Sequence, residues 1–168
     1  MAVSPLTDNE LRFLRSLIER EVRFMVVGLS AAALQGAPVV TQDIDLWFED
    51  LSDPRIREAA RHVGAAYVPQ FNLNPPMFAG AGTELFDIVL TLHGLGSFEE
   101  ELPGCIEVPL ENHTLKVLPL TRILVSKRAA NRQKDRLVIP VLEDTLAASR
   151  SARSPDGVAN EPPTSDES

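Results

Sequence analysis

Two aspartates stand two residues apart in the apolar segment Asp43-Ile44-Asp45-Leu46, and this pattern strongly limits how the chain can fold. The alternation of acidic and apolar residues predicts a strand over 43–48. On a strand, side chains two residues apart lie on one face, roughly 6 to 7 Å apart at the backbone. Two carboxylates about 4 Å apart repel by roughly 4 kcal/mol at an effective dielectric near 20, which favours a bound proton or cation. The alternative is a solvated edge strand with no ligand.

A third aspartate, Asp87, interrupts the apolar segment 84–92, which is also predicted to be a strand. Burial of an unpaired carboxylate costs several kcal/mol, so Asp87 needs a partner. If this strand lies beside strand 43–48, the three acids meet at one edge of the sheet and can hold two metal ions. Magnesium suits such a site, because it takes oxygen ligands and is commonly held by one or two carboxylates plus substrate phosphates.

Helical and strand patterns alternate along the first part of the chain. Thr7 and Glu10 have the spacing of a capping box before apolar residues at helical intervals, which predicts a helix over 7–21. The segment 69–82 contains three prolines, two asparagines and two glycines, which predicts a loop and a candidate mobile segment. The remaining predictions are strands over 23–27, 106–110 and 114–118, and helices over 30–35 and 53–63.

The predicted strand 23–27 leads through Gly28 and Leu29 into the short helix, for which Ser30 is the expected N-cap. Backbone amides at a helix N-terminus, reinforced by a serine hydroxyl and the helix dipole, can bind an anion such as a triphosphate. The alternative is structural: a glycine required by a tight turn and a serine that only caps the helix. Both interpretations fit this short pattern.

The charge of the chain is unevenly distributed. The net charge of −8 argues against a general nucleic-acid coat protein. Residues 116–136 hold seven cations against one acid, which is +6, so the rest of the chain sums to −8 − 6 = −14. This basic stretch fits either a local contact with a polyanion or a solvated helix face.

The C-terminal part is predicted to be helical and then unstructured. Helices are expected over 119–132 and 134–149, the second kinked or interrupted at Pro140. Residues 150–168 are mostly serine, proline, aspartate and glutamate, with too little apolar surface to offset chain ordering. We therefore expect one domain over 1–149 and a disordered tail over 150–168.

Several function classes are excluded by what the sequence lacks. One cysteine and three histidines on separate predicted elements argue against a disulfide framework and a zinc site. The usual P-loop pattern is absent. No apolar run reaches the ~20 residues that cross a bilayer, and the N-terminus lacks a secretory pattern. We expect a cytoplasmic protein without membrane contact.

The stretch from Val27 to Leu46 resembles the signature of the polymerase-beta-like nucleotidyltransferase superfamily. That signature is a strand ending in Gly-Gly or Gly-Ser, a short helix, and then Asp-x-Asp. The resemblance is strongest to the minimal bacterial branch, the abortive-infection and toxin-antitoxin nucleotidyltransferases, where a third acid lies on a later strand, as Asp87 does here. Lys127 and the pair Lys134-Asp135 look like the lysine and the Lys-Asp pair of that branch.

The resemblance implies an α/β (α+β) fold, a small mixed β-sheet flanked by helices. It implies a metal-dependent nucleotidyltransferase that moves a nucleoside monophosphate from a nucleoside triphosphate to a hydroxyl on RNA, such as tRNA, or on protein, and releases pyrophosphate. By the same resemblance, Asp43 and Asp45 bind two Mg²⁺ ions, with Mn²⁺ as a substitute. Asp87 binds the second metal or serves as base for the acceptor hydroxyl.

The resemblance also assigns the phosphate-binding groups. Gly28 and Ser30 hold the β- and γ-phosphates, and Lys127 or Lys134 neutralises their charge. Asp135 either orients one of those lysines or only caps its helix.

The chain departs from the family pattern at two positions. Leu29 stands where the family has its second glycine, and Val39 stands where an arginine is frequent. A leucine side chain at a point where backbone approaches phosphate narrows that approach. These departures motivate an alternative function: a catalytically weakened or inactive nucleotide- or protein-binding module of a toxin-antitoxin pair.

Overall fold

The computed structural model describes residues 6–80 and 82–153. Its helices and strands alternate from α1 to β3, the first part of the chain, as the sequence pattern predicts. In chain order they are α1 (Asp8–Glu19), β1 (Phe24–Val27), α2 (Gly28–Leu34), β2 (Ile44–Phe48), α3 (Pro54–His62), β3 (Ala66–Val68), β4 (Met77–Ala79), β5 (Phe86–Val89), α4 (Phe98–Glu101), β6 (Ile106–Leu110), β7 (His113–Val117), α5 (Leu120–Ala130) and α6 (Gln133–Arg153).

Five of the strands form one mixed sheet in the spatial order β5-β2-β1-β7-β6. Strand β1 is antiparallel to β2 and parallel to β7, while β2 and β5 run parallel. Strands β6 and β7 form a hairpin around the turn at Glu111, whose φ is +54°. The small mixed β-sheet flanked by helices is the fold class that the sequence predicts.

Local sequence signals set the starts of two helices. The side chain of Thr7 accepts a hydrogen bond from the amide of Glu10, and the Glu10 carboxylate accepts one from the amide of Thr7 at 2.7 Å, which is the predicted capping box. Asp53 caps α3 by accepting from the amide of Arg55 at 3.0 Å, with Pro54 in the first turn. The two helices predicted over 7–21 and 53–63 are confirmed, and in each the capping residues lie within the first turn.

The two faces of the sheet have different partners. On one face, the ring of Phe13 in α1 meets Phe86 edge-on at a centroid distance of 4.9 Å. Side chains alternate along a strand, so the opposite face carries Asp45 and Trp47, and Trp47 packs edge-on against Phe98 of α4 at 5.4 Å. Helices α5 and α6 contribute Ile123 and Leu142 to the same buried core. The acidic residues of β2 therefore face the C-terminal helices rather than α1.

The predicted loop over 69–82 contains a strand that the sequence pattern does not reveal. Strand β4 pairs with β3 in a separate antiparallel hairpin, and Phe78 at its centre is 3% exposed. Its ring lies 4.9 Å from that of Phe13. Burial of one aromatic residue overrides the turn-rich composition on either side, so the prediction of a loop is wrong over 77–79.

The predicted interruption at Pro140 is also wrong, because α6 runs through this residue as one helix, and a kink there stays a prediction. A proline inside a helix removes one hydrogen-bond donor, but Pro140 lies on the exposed side while Leu142 is fully buried against the core. The helix ends at Arg153, beyond the expected boundary at 149, and the rest of the predicted tail lies outside the described residues. In the parts of the chain that the structure describes, no helix is both long and apolar enough to cross a bilayer.

Candidate active site

The three aspartates line one cavity of about 480 Å³ between the sheet and the C-terminal helices. Asp45 on β2 and Asp87 on β5 are direct partners in the parallel pairing of these strands. Paired residues of adjacent strands point to the same face of a sheet, so both carboxylates face the cavity. Asp43 lies one residue before β2, where its carbonyl accepts a hydrogen bond from the hydroxyl of Thr41 at 2.8 Å. The prediction that the strand carrying Asp45 lies beside the strand carrying Asp87 is confirmed.

Burial and neighbouring carboxylates raise the pKa values of Asp45 and Asp87. Burial, then repulsion by Asp87, raises the pKa of Asp45 from 3.8 to about 6, against the opposing effect of Lys127. Burial also raises the pKa of Asp87, followed by the charge of Asp43 and a hydrogen bond between the two carboxyl groups. Two carboxyl groups can share such a bond only when one of them is protonated. The site therefore concentrates negative charge that a proton or a cation relieves.

The donor chemistry of this cluster fits a hard divalent cation. Three carboxylates supply the oxygen ligands that Mg²⁺ prefers, and a cation bound among them would relieve their mutual repulsion. Within 6–80 and 82–153, however, no three Asp, Glu, His or Cys side chains are already grouped closely enough to hold one ion. The cluster offers the right ligands without a closed cage, so the metal assignment stays a prediction.

Gly28, at the start of α2, lies against the side chain of Asp45. Its φ is +64°, and a Cβ atom built on it would come within 3.0 Å of the Oδ2 atom of Asp45, closer than real Cβ contacts allow. Any other residue would be strained in its backbone and would displace the carboxylate. A glycine is therefore required at position 28, because the β1–α2 turn passes too close to Asp45 for any other side chain.

Ser30 takes a different position from the predicted one. Helix α2 already begins at Gly28, with Val27 as its N-cap, so Ser30 is not the cap. Its hydroxyl is buried, donates to the carbonyl of Val27 at 2.8 Å and accepts from the amide of Asp45 at 3.1 Å. These bonds tie the start of α2 to the strand that carries Asp45. Ser30 therefore positions Asp45, and contact of its hydroxyl with phosphate stays a prediction.

The basic side of the cavity is organised around Asp135, which is fully buried. Burial opposes its ionisation, but hydrogen bonds from Arg132 and Lys127 outweigh that effect and hold its pKa below the usual range. The Nζ atom of Lys127 lies 3.3 Å from Oδ1 of Asp135, and the amide of Arg132 donates to Oδ2 at 3.0 Å. Asp135 thus both orients a lysine and bonds to the amide just before α6, the two roles between which the sequence could not choose.

Lys127 and Lys134 line the cavity and attract the charge on Asp45. Lys127 is 16% exposed in its side chain, whereas Lys134 is exposed. Leu29 also lines the cavity, so the first departure from the family signature falls within the site itself. The structure thus brings together Gly28, Asp43, Asp45, Asp87, Lys127 and Lys134, and leaves Ser30 beneath the surface.

Sequence reasoning missed several residues of the cavity. Thr91 and His93 line it beyond the end of β5, and Ser126 lines it from α5. The sequence could have indicated Thr91 and His93, because they continue the two-residue spacing of Asp87 and Val89 along the strand. Ser126 carries no comparable signal, since its position depends on how α5 docks.

This chain shares its fold, a mixed five-stranded sheet flanked by helices, with solved structures of other proteins. It is similar to the crystal structure of ANT(2'')-Ia in complex with adenylyl-2''-tobramycin, with a TM-score of 0.53, 16% identity, and coverage of 84% of this chain and 94% of that one. The solution structure of the antibiotic-resistance factor ANT(2'')-Ia gives a TM-score of 0.53, 16% identity, and coverage of 86% and 91%. No protein-family model matches the sequence, and no curated protein matches it.

Proposed function

We propose that the protein is a metal-dependent nucleotidyltransferase that moves a nucleoside monophosphate from a nucleoside triphosphate to a hydroxyl on RNA, such as a tRNA end. The observation that carries the proposal is the cavity in which Asp43, Asp45 and Asp87 face Lys127 and Lys134. Carboxylates that need a cation, set against lysines that need an anion, are complementary to a metal-bound polyphosphate. The folds of the ANT(2'')-Ia structures support the same class.

The reaction assigns a role to each side chain. The acceptor oxygen attacks the α-phosphorus, the bond from that phosphorus to the α–β bridging oxygen breaks, and pyrophosphate leaves. Asp87 accepts the proton of the acceptor hydroxyl or holds the second ion. Lys127 and Lys134 balance the charge of the departing pyrophosphate.

Asp43 and Asp45 would hold two Mg²⁺ ions, or Mn²⁺, and such ions supply charge neutralisation on the phosphates. The backbone at Gly28 approaches Asp45 closely, which places the turn where phosphates would bind. Ser30 acts indirectly, since its hydroxyl fixes the amide of Asp45. Gly28 keeps its proposed phosphate-binding role, while Ser30 contributes to nucleotide binding by holding that turn in place.

An RNA acceptor is favoured by the charge next to the cavity. Lys134 and Arg136 are exposed at the start of α6, in a chain that is otherwise strongly acidic. Exposed cations beside an acidic catalytic cluster suit a phosphate backbone whose hydroxyl enters the site. A cytoplasmic location belongs to the same proposal, because nucleoside triphosphates and tRNA are available there.

Label transfer tests the proposal directly. The protein is incubated with α-³²P-labelled nucleoside triphosphates, Mg²⁺ and total RNA, in parallel with Asp45→Asn and with Asp144→Asn, which changes an exposed carboxylate of α6 away from the cavity. We expect label on RNA with the wild type and with Asp144→Asn, and none with Asp45→Asn. Parallel reactions contain protein alone or an aminoglycoside, because ANT(2'')-Ia has been solved with an adenylylated antibiotic.

The outcomes separate the candidates. Label on protein or on the aminoglycoside would keep the transferase and replace the RNA acceptor. Tight nucleotide binding without transfer to any acceptor would support the alternative, a weakened or inactive module of a toxin-antitoxin pair, which the position of Leu29 on the cavity wall favours. Absence of both binding and transfer would refute both functions.

A further inference from the structure

The cavity continues beyond the carboxylates as a slot between β5 and the C-terminal helices. One wall extends the face of β5 that carries Asp87, and the other comes from α5. We call this region the β5–α5 slot; it is lined by Val89, Thr91, His93, Ile123, Ser126 and Ala130. Half of these residues are apolar, and Thr91, His93 and Ser126 place hydrogen-bonding groups among them; Thr91 and His93 are exposed and Ser126 is half-buried.

The segment that carries His93 is held firmly against α5. Gly94 has a φ of +73°, and a Cβ atom built on it would lie 2.7 Å from the Cβ of Ala129, so only glycine lets the chain pass this close to the helix. Two residues on, the amide of Gly96 donates to the Glu101 carboxylate at 3.2 Å. Glu101 is buried and in turn accepts from Nε of Arg122 in α5 at 2.9 Å. His93 therefore lies at the slot on a fixed segment.

The polar side chains of the slot have no partners within the protein. In the described ranges, the side chains of Thr91, His93 and Ser126 take part in no hydrogen bond or ion pair. By contrast, Lys127 is paired with Asp135 in the adjoining part of the cavity. These three groups are therefore open to the cavity and available to hydrogen-bond a ligand that enters it.

This arrangement matches a flat heterocycle. The apolar side chains Val89, Ile123 and Ala130 offer packing surface to such a ring, while an imidazole and the hydroxyls offer donors and acceptors, which suits the mixed edge of a nucleobase. Lys127 and Lys134 adjoin the carboxylate end, so the phosphates of a nucleotide belong there and its base lies along the slot. The residues that line the slot include no carboxylate, lysine or arginine. The slot therefore has no positive charge that would bind phosphates in place of a base.

We propose that the β5–α5 slot binds the base of the nucleoside triphosphate and that His93 is the residue that determines which base is accepted. The proposal rests on the proposed function, because it names a subsite of the same cavity. A hydrogen bond between neutral groups changes binding by about 2- to 10-fold, and its loss affects bases unequally because their edges present different donors and acceptors.

Binding measurements test this without catalysis. Dissociation constants are measured by calorimetry with Mg²⁺ for four α,β-methylene nucleoside triphosphates, which cannot transfer the nucleotide, and for inorganic tripolyphosphate, which has no base. The variants are His93→Ala, His93→Gln and the control His62→Ala on the exposed end of α3. Circular dichroism confirms that each variant is folded.

We expect His93→Ala to weaken the preferred nucleotide by about 2- to 10-fold, to narrow the differences among the four bases, and to leave tripolyphosphate unchanged. His93→Gln, which can still hydrogen-bond, should retain a base preference, and His62→Ala should match the wild type. The proposal is overturned if His93→Ala leaves all four constants unchanged, or weakens tripolyphosphate as much as the nucleotides. If the wild type binds neither nucleotide nor tripolyphosphate, the proposed function itself fails.

Discussion

Replacement of Asp45 by asparagine should stabilise the protein while removing its proposed activity. Ionised Asp45 is partly buried beside Asp43 and Asp87, so its charge disfavours the folded state in the absence of a cation. Asparagine has nearly the same shape and no charge. The substitution therefore relieves the repulsion with little change in packing.

The size of the effect follows from the pKa of Asp45, which rises from 3.8 to about 6. Each unit corresponds to about 1.4 kcal/mol, so the charged form costs up to about 3 kcal/mol. The side chain is partly exposed, and solvent screening reduces this to about 1 to 2 kcal/mol. For a chain of this size that difference is about 2 to 8 °C in Tm.

The effect should depend on pH in a defined direction. Between pH 3.8 and about 6 the folded state binds more protons at Asp45 than the unfolded state does, so wild-type stability falls as pH rises through that window. The advantage of Asp45→Asn should be absent near pH 4 and complete above about pH 6. Thermal unfolding in EDTA at pH 4 and pH 7.5 measures it, with Asp144→Asn as the control. Equal shifts at the two pH values, or a destabilised variant at pH 7.5, would refute the electrostatic argument.

Three further substitutions test other parts of the site and its frame. Gly28→Ala should abolish label transfer and lower the free energy of unfolding in urea by about 1 to 3 kcal/mol. The control Gly36→Ala, with φ +91° and open space around its Cβ, should also be strained in its backbone but should keep label transfer. Equal loss of transfer in both variants would contradict the clash between a Gly28 side chain and the Asp45 carboxylate. Asp135→Asn should lower the free energy of unfolding by about 1 to 3 kcal/mol at pH 7, because Lys127 and Arg132 lose their anionic partner. This loss should shrink as the pH falls through the lowered pKa of Asp135. An equal loss at pH 7 and pH 2 would contradict the prediction. Pro140→Ala should raise stability by about 1 to 3 kcal/mol, since α6 is continuous there and alanine restores the missing donor, and a lower urea midpoint would contradict this.

Local patterns were enough where a few neighbouring residues decide the outcome. The capping box at Thr7 and the Asp53-Pro54 start fix their helices within one turn. The alternation in Asp43-Ile44-Asp45-Leu46 places both Asp45 and its apolar neighbours correctly, because a strand has a period of two whatever surrounds it. Such signals are short in range and survive any arrangement of the other elements.

Predictions failed where distant residues decide. Strand β4 exists because Phe78 reaches the ring of Phe13, a contact that the turn-rich sequence around it conceals. Ser30 was the predicted N-cap of the short helix, yet α2 begins at Gly28 and the Ser30 hydroxyl bonds to the backbone of Val27 and Asp45. Pro140 looked like a helix breaker, but it lies on the exposed side of a helix that packs through Leu142.

By itself, the sequence determined which chemical groups the protein has for binding a cation and a phosphate: acids on two strand patterns, a glycine turn and basic helices. Tertiary structure alone decided that Asp45 and Asp87 stand side by side, because strand register arises from packing across the whole sheet. It also decided that Asp135 holds Lys127 toward the acids and that His93 lies on a slot wall. The sequence gives the identity of each side chain, whereas the distances between side chains far apart in the chain are set by the packing of the hydrophobic core.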